Sequence, residues 1–157
     1  MLIVLITMLL FSPIQINIDS DMVYYDIPLS NYYQEYTQEQ CIEYNVPYEL
    51  VLAIMKTESE FDLDIVSKTD DYGIMQINIY NHEWFKDMFG FSDILIPENN
   101  IKSGVFLIGY LYNKYDTINE ALMGYNYGEG RASYYWNKGI YTSKYSEKVM
   151  KAYETYR

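Results

Sequence analysis

Leu50, Ile54 and Glu58 fall four residues apart in an apolar run from Tyr48 to Ser59. On a helix, positions i, i+4 and i+8 share a face. Val51, Met55 and Ser59 lie beside them. The stripe that must enter a core therefore ends in a carboxylate. Pro47 suits the first turn of this helix, behind the break Asn45-Val46-Pro47. Whatever fold the chain adopts has to bury this helix and still account for Glu58.

The rest of the chain is read around it. Asn31 to Tyr44 has a helical pattern, with Thr37-x-x-Gln40 as a candidate capping box that would start the regular part later. Phe61 to Tyr72 is a polar loop. Gly73 to Asn78 is a short apolar segment, read as one or two helical turns. Ile79 to Phe91 is amphipathic but irregular, and Gly90 and Pro97 bound a connection. Asn100 to Tyr115 carries a stripe of Ile101, Val105, Ile108, Tyr112 and Tyr115. Gly104 and Gly109 within it mark close approach by another element. Thr117-x-x-Glu120 is a capping box for a helix from Ile118 to about Tyr127, ended by Gly128 and Gly130. Tyr134 to Ile140 is read as an aromatic-rich loop. In the last helix, Tyr145, Val149 and Tyr153 share a face. No sustained strand alternation and no internal repeat is present. The fold class is all-α, with at most a minor β element.

At 157 residues the chain suits one domain. Leu2 to Phe11 is an almost unbroken apolar run, too short to span a bilayer comfortably as a helix. Residues 1–20 are read as a signal peptide or N-terminal anchor. No Lys or Arg precedes the run, and no small-x-small site clearly follows it. Residues 21–30 are read as a linker and 31–157 as the working domain. The expected location is outside the cytoplasm, in the extracellular space or wall, or anchored to the membrane.

The formal net charge of -11 excludes a nucleic-acid binder, whose phosphate contacts need a basic patch. It also leaves no polybasic segment for an anionic membrane. The single cysteine, Cys41, rules out an internal disulfide and reads as a small buried residue. The single histidine, His82, stands in a polar stretch and reads as a surface residue. Asp62, Asp64, Asp70 and Asp71 lack the glycine and closing glutamate of a calcium-binding loop. No metal and no cofactor are expected.

Glu58 carries the chemistry. Desolvation favours its neutral form, and so does the partial negative charge of a helix C-terminus. A carboxylic acid held protonated near neutral pH is what a general acid must be. The structural alternative is a buried glutamate tied up by Tyr hydroxyls or a Lys. Ser59 can bond nearby backbone or the carboxyl itself. Glu60, two residues on, should point away from Glu58, about 200° around a continuing helix.

Three motifs then occur in order: E-S-E-F at 58–61, D-Y-G-I-M-Q-I-N at 71–78 and G-Y-N-Y-G-E-G at 124–130. Asn100-Ile101-x-x-Gly104 and Tyr145-x-x-x-Val149 accompany them. Together they resemble the soluble lytic transglycosylase domain, a goose-lysozyme-like helical fold with a glycan groove. The resemblance covers about residues 31–157. It implies Glu58 as the single catalytic acid and base, with Ser59 positioning it or the substrate's acetamido group. It implies Met75 and Gln76 lining the groove, with Tyr125 and Asn126 across the cleft. Tyr145 would bond Glu58. Two departures are mild: Ile74 stands where the family has Leu, and Gly124 where it has Ala. The implied partner is the peptidoglycan glycan strand; the chain is expected to act as a monomer. The implied reaction cleaves the MurNAc-β-1,4-GlcNAc bond without water, leaving 1,6-anhydro-MurNAc ends. Two alternatives stay open. One is a lysozyme-type hydrolase, with water positioned by Asp62, Asp64, Asp70 or Asp71. The other is a non-catalytic wall-binding protein.

Overall fold

The computed structural model describes residues 22–157. The apolar run at 2–11 and the leader or anchor read into 1–20 lie outside the described residues. The elements, in order, are α1 (Asn31–Glu43), α2 (Tyr48–Glu58), β1 (Asp71–Tyr72), β2 (Ile77–Asn78), a single 3-10 turn (Ile79–Asn81), α3 (His82–Phe89), α4 (Pro97–Lys114), α5 (Ile118–Tyr127), α6 (Glu129–Trp136) and α7 (Lys144–Tyr153). The architecture is all-α with one short hairpin.

Every residue of α2 from Leu50 to Met55 is buried. The sequence stripe is thus only part of an apolar surface that runs all round the helix, the mark of a central element. α2 packs against α1 and α7, while α5 packs against α4, α6 and α7. Because α7 touches both α2 and α5, it joins the carboxylate end of one to the tyrosine-bearing end of the other.

Several boundaries differ from the sequence reading for identifiable reasons. α1 starts at Asn31, capped by the Ser30 side chain, and Thr37 sits inside it with its hydroxyl turned back onto Tyr33 O at 2.6 Å. Thr37 therefore caps nothing; it makes the back-bond open to a mid-helix threonine. Residues 23–29, instead of hanging free, are fastened to α1. Gln38 bonds both the N–H and the C=O of Val23, and Gln34 bonds Tyr25 and Leu29. The expected helical turns at 73–78 are a tight turn and β2, which pairs antiparallel with β1 (Asp71 opposite Asn78, Tyr72 opposite Ile77). His82 is buried, not on the surface. Its Nε2 lies 3.0 Å from Ile77 O, and its ring meets Tyr72 edge-on at 5.2 Å. The expected loop from Tyr134 is the end of α6, held by rings that overrule weak helix propensity. Trp136 packs on Tyr115 at 4.7 Å and Tyr135 on Tyr127 at 5.4 Å. Gly128 alone breaks the chain between α5 and α6, and Gly130 lies within α6. The capping box at Thr117 and Glu120 forms as read.

Gly104 on α4 is a contact point for the hairpin. A Cβ there would stand 2.5 Å from Met75 Cβ. Only a hydrogen lets α4 and the turn after β1 come this close.

Candidate active site

Ser59 ends α2 and turns the chain. Its Oγ lies 2.9 Å from both Met55 O and Ile74 O and accepts Phe61 N–H at 3.1 Å. The hydroxyl therefore ties the end of α2 to the turn that carries Ile74. It bonds backbone and makes no bond to the Glu58 carboxyl. Glu60 and Phe61 follow with φ of 54° and 70°, a left-handed pair without glycine. This reversal, and not a continuing helix, leaves Glu60 exposed.

Glu58 opens onto a cleft of about 510 Å³, lined also by Asp71, Gln76, Asn78, Tyr125 and Asn126. That volume is in the range of small-ligand sites. Tyr145 Oη donates to Glu58 Oε1 at 2.7 Å, across from α7. Lys148, one turn further on, donates to Thr57 O at 3.1 Å. Burial is the main influence on the Glu58 carboxyl and pushes its pKa up to about 7. The Tyr145 bond pulls it down, the Asp71 charge pushes it up, and Lys148 pulls it down. The tyrosine hydroxyls of Tyr125 and Tyr145 are raised well above their ordinary value by burial and then by the Glu58 charge, so both remain donors.

Tyr125 Oη donates to Met75 O at 2.8 Å, closing the hairpin against α5. Met75 does not reach the cleft: its side chain is fully buried against Gly104. Its contribution is the backbone carbonyl. Gln76, at φ 47°, lines the cleft but turns its amide onto Gly73 O at 2.9 Å and Ile65 O at 3.2 Å. Asn126 is exposed at the cleft wall with its side chain free of protein partners among the described residues. Of the residues singled out by sequence, Glu58, Gln76, Tyr125 and Asn126 line the cleft. Tyr145 reaches it through Glu58, and Ser59 and Met75 hold it from behind.

Two residues of the site were not marked as such by the sequence. Asn100 is fully buried at the start of α4, where its Oδ1 accepts Met75 N–H at 2.9 Å and its Nδ2 donates to Tyr72 O at 2.8 Å. It had the same signal as Glu58, a polar residue on an apolar stripe with Gly104, Ile108 and Leu111. Asp71 was one of four loop acids that the hydrolase alternative left undistinguished, and the first residue of the motif at 71–78. Its carboxylate accepts from Ser67, Thr69 and Asn78, and it shares the cleft with Glu58. Among the described residues no group of three or more His, Cys, Asp or Glu side chains could hold a metal ion.

The model of the transglycosylase SLT domain matches residues 35–149. The chain belongs to the SLT domain family. A membrane-bound lytic murein transglycosylase C from Yersinia pestis is 35% identical to this SLT domain over 92 residues, which is 53% of the chain and 25% of that protein. The chain thus spans about a quarter of the length of the curated relatives it matches. Two solved structures share the SLT fold. An inactive variant of the lytic transglycosylase Slt from Pseudomonas aeruginosa superposes with a TM-score of 0.69 at 18% identity, covering 83% of this chain and 24% of that one. The 70 kDa soluble lytic transglycosylase from Escherichia coli gives 0.66 at 22%, covering 79% and 24%.

Proposed function

We propose that the chain is a peptidoglycan lytic transglycosylase, cleaving between MurNAc and GlcNAc with Glu58 as acid and then base. One observation supports this most: the family's glutamate sits in a cleft, half-buried, with its carboxyl held by the Tyr145 hydroxyl at 2.7 Å and its pKa pushed up to about 7. Glu58 protonates the leaving glycosidic oxygen. The substrate's 2-acetamido oxygen attacks C1 as that bond breaks. Glu58, now a carboxylate, takes the proton of the C6 hydroxyl, which closes the 1,6-anhydro ring and expels the acetamido oxygen. Asn126 offers its free amide to the sugar, and Gln76 forms part of the wall. The substrate lies outside the cytoplasmic membrane, so this reading includes export. Among the described residues no helix is long and apolar enough to cross a membrane.

Mass analysis of the soluble products from purified peptidoglycan tests the reaction. Anhydro ends, lighter by one water than hydrolytic ends, are expected. Glycan released only with reducing ends would overturn the transglycosylase assignment.

The pH dependence follows from the acid role. Glu58 must be protonated at the start, so kcat/KM is expected to fall as pH rises through about 7. The Tyr145 bond stabilises the carboxylate form. Tyr145→Phe removes it, so the alkaline limb moves to higher pH even though the maximal rate drops with the loss of positioning. A limb that stays in place in Tyr145→Phe would show that the limb does not report Glu58.

A further inference from the structure

Asp71 stands at the start of β1, directly opposite Asn78 in the hairpin register. Both line the cleft that holds Glu58. The two carboxyls nevertheless live in opposite surroundings. Glu58 is desolvated and has one hydroxyl donor. Asp71 is half-exposed and has three side-chain donors: Asn78 Nδ2 at 2.7 Å on Oδ1, with Ser67 Oγ at 2.8 Å and Thr69 Oγ1 at 2.5 Å on Oδ2. Burial works against its charge, but the bonds from Thr69, Asn78 and Ser67 outweigh it and hold the group below its ordinary value. An acid kept protonated and a second kept ionised in one cleft are the division of roles a glycoside-cleaving site uses.

We propose that Asp71 is a second catalytic residue of this site, a fixed anion on the hairpin wall that stabilises the positive charge developing at C1 while Glu58 protonates the leaving oxygen. This rests on the glycan-cleaving reading above and changes its single-carboxylate form. The proton moves from Glu58 to the glycosidic oxygen. The C1–O bond breaks with its electron pair on that oxygen, and the positive charge is shared by C1 and the ring oxygen. Asp71 forms no bond and transfers no proton. Its charge serves equally whether C1 is then captured by the acetamido oxygen or by water. Its Coulomb field also favours the protonated form of Glu58, so it helps keep the acid loaded. The other groups facing Glu58 are Tyr145 and Lys148 on α7 and Tyr125 on α5. Glu129, at the cleft mouth, is occupied by Lys114 and Tyr115.

The test is the pH–rate profile of peptidoglycan cleavage by the full chain carrying Asp71→Asn, Asp71→Glu or Thr69→Val. Asp71→Asn is expected to lower kcat about 100-fold, the usual effect of removing one electrostatic stabiliser, and to move the alkaline limb to lower pH. Asp71→Glu restores part of the rate. Thr69→Val keeps the charge but removes one donor, so the acid limb, which reports Asp71 ionisation, moves to higher pH. The alkaline shift follows from the Asp71 field on Glu58 alone; the loss of rate and the acid limb report the role at C1, and a merely structural Asp71 does not move the acid limb in Thr69→Val. An Asp71→Asn chain that folds and keeps its rate within about threefold overturns the proposal, wherever its alkaline limb lies, and leaves Glu58 as the lone acid. Should that variant not fold, Thr69→Val decides alone, and an unmoved acid limb overturns it. An unaltered chain that releases no glycan defeats the cleavage reading, and the proposal falls with it.

Discussion

Glu58→Gln is expected to abolish peptidoglycan cleavage while making the folded chain more stable at alkaline pH. The first effect follows from the loss of the group that, in the proposed mechanism, gives a proton to the leaving oxygen. General acid–base catalysis supplies about 10²–10⁴-fold, and in the proposed mechanism the same side chain also serves as base, so a loss of at least about 10³-fold is expected. Gln keeps the shape and can still accept the Tyr145 hydroxyl through its amide oxygen, so the cleft survives. The second effect follows from linkage. The folded-state pKa is raised from 4.5 to about 7, so the folded chain holds a proton that the unfolded chain has released. Stability therefore falls as pH rises from about 4.5 and is fully penalised above about 7. Below 4.5 the penalty is absent. A neutral amide escapes it, so Glu58→Gln should gain on the order of 2–3 kcal/mol at pH 8, with little change at pH 4. Denaturant unfolding at the two pH values checks this. Retained cleavage would refute the catalytic role; a stability gain independent of pH would refute the origin of the raised pKa.

The sequence carried the helical elements because their signals are local. Thr117 and Glu120 close a capping box whichever way the chain packs, and the apolar run from Leu50 to Met55 has to be buried somewhere. What escaped depends on partners far along the chain. Gly73 to Asn78 is apolar in either state. Only the pairing of Asp71 with Asn78, and the Asn100 side chain from 25 residues beyond Met75, make it a hairpin instead of a helical turn. α6 escaped because its aromatic residues favour a helix only once Tyr115 and Tyr127 are there to meet them. At the site, residue types at motif positions pointed to Glu58, Tyr125, Asn126 and Tyr145. Whether a side chain faces the cleft or the core is set by the turn conformation. Gln76 at φ 47° puts its own side chain at the wall and leaves Met75 behind it. The separation of Asp71 from Asp62, Asp64 and Asp70 was invisible for the same reason: only the hairpin brings one of the four into the cleft with Glu58.

Gly73→Ala is expected to destabilise the chain by about 2–4 kcal/mol and to take the cleft with it. Gly73 has φ +72°, where a Cβ costs about 1 kcal/mol or more in backbone strain. The added methyl would also stand 2.6 Å from Asn100 Cγ, with Nδ2 at 2.7 Å and Oδ1 at 2.8 Å. Asn100 is fully buried and uses both ends of its amide, on Met75 N–H and Tyr72 O, so it cannot step aside without leaving buried groups unpaired. A double-mutant cycle with Asn100→Ala separates the two causes. Removing the amide removes the clash, so Gly73→Ala should cost only the backbone term of about 1–2 kcal/mol in that background. Additive losses would refute a clash at Asn100. Activity is drawn into the same cycle. The turn that Asn100 holds presents Met75 O to the Tyr125 hydroxyl at 2.8 Å and Ile74 O to Ser59 at 2.9 Å. A shift of that turn therefore loosens α5 on one side and, on the other, the end of α2 that carries Glu58.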